Sequence, residues 1–341
     1  MSGRKKAPTM ADIAREAGVS PMTVSRAFKA ESYVNAETRE AILSAADRLG
    51  YVMDKTAAGL SSKKTGFVAV TIPSINNANF ADTVRGLTDG LRERGLQVLL
   101  GYTNYDVVEE ERLVRQLLMR RPEAIIVTGG VHTPATRRIL EASAVPVIET
   151  WDLPKDPIGT VVGFSNAEAS AQLVRHLVET GRNKIAFIGG DASRDTRGHD
   201  RRKGFLAEME RQGLDPTRQV EAGQPPISMR EGARALQRLL EQWPDTEAVM
   251  CVSDLAAFGA LTECQRRGIA VPADLAIAGF GAYEIGEICV PPITTVDPDC
   301  YEIGSLAAQV VLTSLSQDAL EAGSPVVRIS PKLIARASTQ G

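Results

Sequence analysis

From residue 66 onward, apolar runs of six to eight residues alternate with amphipathic helical patterns. Continuous apolar strands joined by helices are typical of parallel sheets that are covered on both faces. Eight such runs are too many for one small sheet, so the sequence predicts two similar α/β lobes of about 130 residues each. The predicted strands are 66–73, 96–103, 123–129, 145–150, 160–165, 184–190, 247–253 and 275–281. The predicted helices include 80–94, 108–120, 166–179, 199–212, 230–242 and 254–267.

A cleft between the two predicted lobes is the expected ligand site. Small molecules bind such folds at the carboxyl ends of the parallel strands, where the strand-to-helix loops converge. The body of the chain therefore favours binding of a small molecule.

The front of the chain differs in charge from the rest. Residues 1–65 carry 11 Lys/Arg and 7 Asp/Glu, whereas the whole chain has a net charge of −3. A basic end on an acidic body indicates a segment that binds a polyanion.

Three short helices are predicted within this basic segment. Thr9 and Asp12 fit a capping box, and Gly18 suits the left-handed end of the first helix. Ser20 caps a second helix, and Asn35 caps a third. Three helices around a small core match a helix-turn-helix module, which presents its second helix to the DNA major groove. A three-helix cap used only for packing is the alternative.

Several functional classes lack support in the sequence. The four cysteines form no C-x-x-C pair, and the three histidines form no zinc motif. The run from Gly279 to Gly286 begins G-x-G, but Glu284 stands where a dinucleotide fingerprint needs glycine. No apolar run is long enough to span a bilayer, and no secretory signal is recognisable. We therefore expect a cytoplasmic protein that is no enzyme and binds no metal, cofactor or membrane.

The segment MADIAREAGVSPMTVSRAFKAESYVNAETREAILSAADRLGY resembles the headpiece of the LacI/GalR family of bacterial repressors. The resemblance rests on D-I-A-x-x-A-G-V-S, T-V-S-R, V-x-x-x-T-R and L-G-Y, and it extends over the whole chain. It implies an α/β protein with a three-helix helix-turn-helix headpiece and hinge, followed by a two-lobed periplasmic-binding-protein-like core of doubly wound parallel sheets. The implied domains are the headpiece 1–53, the hinge 54–65 and the core 66–341. Lobe one comprises about 66–162 and 293–323, and lobe two about 163–292 and 324–341.

The same resemblance implies DNA contacts. Arg26 is suited to a bidentate pair with guanine, and Met22 to apolar contact with a thymine methyl. In the hinge, Leu60 would open a base step from the minor groove with Ala57 packed beside it. The hinge departs from the family pattern at Met53-Asp54 and at Gly59, and a flexible linker is the alternative. The implied DNA-binding residues are Thr9, Ser20, Pro21, Met22, Thr23, Ser25, Arg26, Asn35, Thr38, Arg39, Ala57 and Leu60.

Four effector-binding residues are implied by position. Phe80 would close over the ligand, and Arg201 is the arginine of the motif R-x-x-G-F. Ser253 and Asp254 end a strand at the cleft, although Asp254 is equally suited to cap the following helix. Further candidates stand at the end of the fourth strand: Glu149, Trp151 and Asp152.

One departure from the family pattern bears on the effector. Sugar-binding relatives carry an aspartate where this chain has Gly281, so a carboxylate that would repel an anion is missing. Together with Arg201, this favours a sugar acid such as gluconate, 6-phosphogluconate or a ketogluconate. The motif G-F-G and the segment GYTNYD are similar to the gluconate-repressor subgroup. A neutral sugar remains the alternative effector.

The sequence thus predicts a transcriptional repressor that binds a pseudo-palindromic operator. No leucine-heptad pattern follows the last predicted strand, so we expect a homodimer. A solute receptor and a sugar-processing enzyme are the hypotheses from other classes. Whether the effector releases or promotes DNA binding is left open by the sequence.

Overall fold

The chain forms two compact units, residues 1–65 and 66–341. The structure is a computed structural model. It describes residues 7–28, 33–53, 65–191, 193–316 and 326–340. Within these residues, no helix has the length and apolar character needed to cross a membrane.

The first unit contains the three predicted helices: α1 Met10–Glu16, α2 Pro21–Ala27 and α3 Ala36–Leu49. Thr9 caps α1 in a complete capping box with Asp12. Ser20 caps α2, and Asn35 caps α3. These side chains satisfy backbone N–H groups that would otherwise lack a partner in the first turn. The small core between the helices consists of Ile13, Ala14, Val24, Ala27, Ile42, Ala45 and Ala46.

Lobe one of the second unit is built on a six-stranded parallel sheet with the order β11-β5-β4-β3-β1-β2. Its strands are β1 Phe67–Ile72, β2 Gln97–Tyr102, β3 Ile125–Thr128, β4 Val147–Thr150, β5 Thr160–Gly163 and β11 Val326–Arg328. Its helices are α4 Ala78–Arg92, α5 Val107–Leu118, α6 Pro134–Glu141 and α12 Cys300–Ser314.

Lobe two is built on a four-stranded parallel sheet with the order β7-β6-β8-β9. Its strands are β6 Ile185–Gly189, β7 Gln219–Glu221, β8 Ala248–Cys251 and β9 Ala276–Ala278. Its helices are α7 Asn166–Glu179, α8 Thr196–Arg211, α9 Met229–Gln242, α10 Asp254–Arg267 and α11 Glu284–Ile288. A two-stranded antiparallel ribbon of β10 Thr295–Asp297 and β12 Lys332–Ile334 completes the fold.

Helices α4 and α12 pack unusually closely, because glycines line their contact. A Cβ atom on Gly304 would lie 1.9 Å from the carbonyl oxygen of Thr83, and one on Gly86 would lie 2.1 Å from that of Tyr301. Only glycine lets the two backbones approach to this distance. This contact fixes α12 onto lobe one.

All eight predicted strands are present, each within three residues of the predicted ends. The predicted crossings near 292 and 323 are early, however. Strand β10 still lies beside lobe two through the bridge between Ala278 and Thr294. Strand β11 pairs with β5, so residues 326–328 belong to lobe one and not to lobe two as predicted. Both strands are only three residues long, too short to produce a periodic signal in the sequence.

Candidate functional site

The amino-terminal end of α2 presents a short polar and apolar surface. The hydroxyl groups of Ser20 and Thr23 lie 2.9 Å apart, and Ser20 Oγ accepts the Thr23 N–H at 3.1 Å. Pro21 is exposed, and Met22 is 64% exposed, although methionine is ordinarily a core residue. Arg26 is also exposed, one helical turn after Met22, and Ser25 is half-buried. The structure thus leaves the predicted base-reading side chains accessible.

The other predicted DNA contacts differ in their surroundings. The Thr9 hydroxyl donates to Asp12 at 2.7 Å, and Asn35 Oδ1 accepts the Glu37 N–H at 3.1 Å. Arg39 donates to the carbonyl of Ala27, which joins α3 to the end of α2. Thr38 is half-buried beside it. These residues therefore also stabilise the headpiece. Ala57 and Leu60 lie outside the described residues.

A cavity of about 50 Å³ lies between the two lobes at the carboxyl ends of their strands. Tyr283 of lobe two donates its hydroxyl to Asn77 of lobe one at 2.5 Å, so the lobes touch beside it. The structure brings three of the four predicted effector residues to this cavity: Phe80, Arg201 and Ser253. Its other lining residues are Asn77, Asn79, Tyr105, Trp151, Asp195, Arg197, Pro226, Ile227, Val252, Leu255, Phe280 and Tyr283.

Arg201 is held rigidly by lobe two. Its guanidinium stacks on the Phe280 ring, with Cζ 3.6 Å from the ring centroid. Its Nη1 donates to the carbonyl of Val252 at 2.8 Å. Burial lowers the pKa of Arg201, but an arginine keeps its charge at any physiological pH. Nη2 has no hydrogen-bond partner among the described residues, so it remains available for a ligand.

Arg197, which is not among the residues predicted from the sequence, is the second cation of the cavity. It precedes Arg201 by four residues, so both side chains lie on one face of α8. Arg197 is only 5% exposed and stacks between Phe80 and Tyr105, with Cζ 5.5 and 5.7 Å from the ring centroids. Within the described parts of the chain, its guanidinium forms no hydrogen bond and no salt bridge, although the buried carboxyl of Asp152 attracts it electrostatically. The four-residue spacing was the only signal in the sequence.

An aromatic column connects the two cations. Phe80, Trp151, Phe164 and Phe280 follow one another with ring centroids 5.0, 6.0 and 6.2 Å apart. Trp151 is buried, and its Nε1 lacks a hydrogen-bond partner in the described structure. Because buried N–H groups are normally paired, this donor is suited to an acceptor atom of a ligand in the cavity.

Acidic groups are present at the cavity edge. Asp195 lines it and caps α8, where its Oδ1 accepts the Gly198 N–H at 2.9 Å. Asp152 lies behind Trp151, and its carboxylate accepts hydrogen bonds from Asn166 and Gly130. Burial raises the pKa of Asp152. Asp152 is thus a supporting residue rather than part of the cavity lining.

The predicted effector residue Asp254 does not line the cavity. Asp254 is fully buried, and its two oxygens accept the Tyr283 N–H at 2.8 Å and the Thr295 hydroxyl at 2.7 Å. Burial raises the pKa of Asp254 to about 6. Ser253, not Asp254, caps α10. Asp254 therefore holds the loop that carries Phe280, and neither predicted role fits its position.

Glu149 faces the opposite side of the sheet. Successive side chains of a strand alternate between faces, and Glu149 is in phase with Val147, which packs on the far cluster. Its Oε2 accepts the N–H groups of Ile158 and Gly159. Glu149 is therefore excluded from the cavity by its place in β4.

Comparison with known proteins accounts for both units. Residues 9–54 match the family described as bacterial regulatory proteins, lacI family, and residues 174–339 match a periplasmic binding protein-like domain. Over 333 residues the chain is 34% identical to the HTH-type transcriptional regulator GntR of Pseudomonas aeruginosa, covering 97% of this chain and 96% of that protein. The chain belongs to the LacI family.

Solved structures of LacI family members are similar in fold to this chain. One LacI family transcriptional regulator from Silicibacter pomeroyi is 40% identical, with a TM-score of 0.76 over 81% of this chain and 99% of that one. A second, from the same organism, is 29% identical with a TM-score of 0.92, covering 98% and 100%. The chain is thus a LacI/GntR-type transcriptional repressor with a DNA-binding and a ligand-binding domain, and it is not an enzyme. Regulators of this family bind operator DNA and small-molecule effectors, typically as dimers.

Proposed function

We propose that this repressor controls genes of sugar-acid metabolism and acts in the cytoplasm. As a homodimer it binds a pseudo-palindromic operator, and a sugar acid such as gluconate, 6-phosphogluconate or a ketogluconate releases it. The observation that carries the proposal is Arg197, a buried cation that forms no salt bridge or hydrogen bond with a carboxylate among the described residues, although Asp152 attracts it electrostatically. A buried charge that lacks a close partner is costly, so a site of this kind favours a ligand that brings the opposite charge.

The geometry around Phe280 supports an anion further. Gly281 has a φ of +120°, and a Cβ there would lie 2.5 Å from Asn79 Nδ2 and from the Tyr283 ring. No aspartate fits at that position, so the carboxylate of sugar-binding relatives has no place here. The hydroxyl groups of a sugar acid would find acceptors in Asp195 and in the oxygen of Ser253.

Release from DNA follows from differential affinity. An effector shifts the protein toward the lobe arrangement that it binds more tightly, and only to the extent of that difference. Arg197 and Arg201 belong to lobe two, whereas Phe80 and Trp151 belong to lobe one, so an effector that contacts both favours one arrangement of the lobes. The shift would alter how the two headpieces are held.

The dimer contact is proposed on lobe two. A groove between α9 and α10 is lined by Met229 and Phe258 together with polar and charged side chains such as Gln237 and Glu263. Ile288 and Val290 are strongly exposed. They lie near this groove, because the Val290 carbonyl accepts a hydrogen bond from Gln265 of α10. Substituting Val290→Asp should shift the protein from dimer to monomer in light-scattering measurements. An unchanged mass would exclude this surface.

A gel-shift experiment with genomic DNA fragments tests the function. The repressor should shift its operator, and gluconate should abolish the shift, whereas neutral glucose should not. Arg201→Ala should keep DNA binding and lose the response to gluconate. The matched control is Arg202→Ala, because Arg202 stacks instead on Phe187 and donates to Gly190. A repressor released by glucose but not gluconate would refute the sugar-acid effector.

A further inference from the structure

Asn166 occupies the junction between the lobes. It is the first residue of α7, directly after the chain leaves β5 of lobe one, and it is 3% exposed. Its side-chain amide carries both a donor and an acceptor, and the surroundings use both. Nδ2 donates to Asp152 Oδ1 at 2.7 Å and to the Trp151 carbonyl at 3.0 Å. Oδ1 accepts from Arg201 Nε at 3.0 Å.

The partners of Asn166 belong to different lobes. Trp151 and Asp152 follow β4 in lobe one, whereas Arg201 stands on α8 in lobe two. One amide therefore joins the end of the lobe-one sheet to the cation of the effector cavity. On the lobe-one side this bridge consists of two hydrogen bonds, the shorter of them 2.7 Å to Asp152.

The bridge also determines the orientation of Arg201. Asn166 holds Nε, Val252 holds Nη1, and the Phe280 ring supports the guanidinium plane. These three contacts fix the guanidinium plane, so the Nη2 group, which has no hydrogen-bond partner among the described residues, points in one fixed direction. Removing the Asn166 restraint leaves the guanidinium free to turn about the remaining bond, and a bound anion would lose its oriented partner.

We propose that Asn166 is a positioning residue that aims Arg201 at the carboxylate of the effector and keeps the two lobes joined behind the cavity. The first part rests on the proposed sugar-acid effector. The second part does not, because the bonds to Trp151 and Asp152 are properties of the protein alone. An experiment with two readouts can therefore separate them.

The test uses the full chain in a Trp243→Phe background, which leaves Trp151 as the single tryptophan. Asn166→Ala is compared with Ser165→Ala, which removes the neighbouring cap of the same helix. Calorimetry measures the affinity for gluconate, and acrylamide quenching measures the exposure of Trp151 without ligand. Circular dichroism and operator binding verify folding of each variant.

Asn166→Ala should weaken gluconate binding at least tenfold and raise the quenching constant of Trp151 at least twofold, while Ser165→Ala should resemble the parent in both. Asn166→Asp keeps an acceptor for Arg201 but places a second carboxylate beside Asp152 and near the anion, so it too should weaken gluconate binding. Equal gluconate affinity, or equal shielding of Trp151, in Asn166→Ala would overturn the proposal. If the parent binds no sugar acid, the effector assignment fails, and the quenching comparison alone decides the bridge.

Discussion

The guanidinium of Arg197 lies over the Phe80 ring, with Cζ 5.5 Å from its centroid, and this contact spans the cleft from lobe two to lobe one. The contact needs space that Gly129 provides. Gly129 has a φ of +109°, and a Cβ there would lie 3.1 Å from Arg197 Nη1. A cation is thus placed against an aromatic face of the opposite lobe, where a cation–π attraction adds to closure.

Replacing Arg197 should separate charge recognition from the rest of the cavity. Arg197→Met keeps the length of the side chain and removes its charge, so gluconate binding should weaken by about 1.5–3 kcal/mol. Gly129→Ala should weaken it in the same direction, because the methyl group displaces Nη1. Calorimetry with gluconate checks both, and Arg202→Met is the control. Unchanged gluconate affinity in Arg197→Met would show that the anion binds elsewhere.

Operator affinity should depend on Arg26 much more than on Met22. Both side chains are exposed, so neither substitution should alter the melting of the headpiece. Arg26→Ala should cost about 1–3 kcal/mol of operator binding, the range for a bidentate contact to guanine. Met22→Ala should keep the operator preference, since specificity would then rest on Arg26 and on DNA deformability. Anisotropy titrations against operator and scrambled DNA distinguish the outcomes; a loss of preference in Met22→Ala would restore direct readout by that residue.

His132 should make lobe one sensitive to alkaline pH. Burial opposes its charge, but Glu110 at 2.7 Å and Glu149 at 3.7 Å outweigh burial and raise the pKa of His132 to about 9. In the unfolded chain the pKa of His132 is near 6.5. The charged His132 therefore contributes its full stabilisation of the folded state below pH 6.5, and this contribution disappears as the pH rises through 9. The loss amounts to about 3 kcal/mol. Urea unfolding between pH 6 and 9.5 measures it.

His132→Asn is the variant for comparison, because it cannot titrate. The difference in free energy of unfolding between the parent and His132→Asn should fall steadily across this pH range. Glu110→Gln should reduce the pH dependence of the parent, since it removes the nearer carboxylate. A constant difference between parent and His132→Asn would contradict the raised pKa.

The contact between α4 and α12 should tolerate no added methyl group. Gly304→Ala would bring a Cβ to 1.9 Å from a backbone oxygen, so we expect destabilisation of about 2 kcal/mol or more. Gly101→Ala is the control, because its new Cβ would meet Leu117 at 3.4 Å, an ordinary contact. Thermal unfolding of the two variants compares them. Equal melting temperatures would mean that the helices separate without cost.

Local patterns predicted most of the architecture. Apolar runs located the strands of both sheets, and Thr9, Ser20 and Asn35 marked the helix starts, because caps and periodicity act over a few neighbouring residues. Family resemblance supplied Phe80, Arg201 and Ser253. The remaining site residues depend on pairs that are distant in sequence. Arg197 matters because Phe80 and Tyr105 reach it across the cleft, and Asn166 because it meets Arg201, 35 residues away.

The errors have the same physical origin. Asp254 stands at a strand end facing the cleft, but its direction is set by the Tyr283 N–H and the Thr295 hydroxyl, which no local pattern reveals. The position of Glu149 near the end of β4 makes it a candidate from the sequence, but the alternation of side chains along β4 turns it to the opposite face of the sheet. Strand β11 is short and exposed, and only pairing with β5 assigns it to lobe one.

Both lobes take essential pieces from residues beyond 290. Lobe one needs α12, whose Gly304 backbone rests on Thr83, and β11 at the edge of its sheet. Lobe two is bound by Ser338, which accepts the Ile277 N–H and donates to its carbonyl. During synthesis, therefore, neither lobe is complete until the last part of the chain has left the ribosome. The headpiece, with its own small core, can fold long before the domain that regulates it.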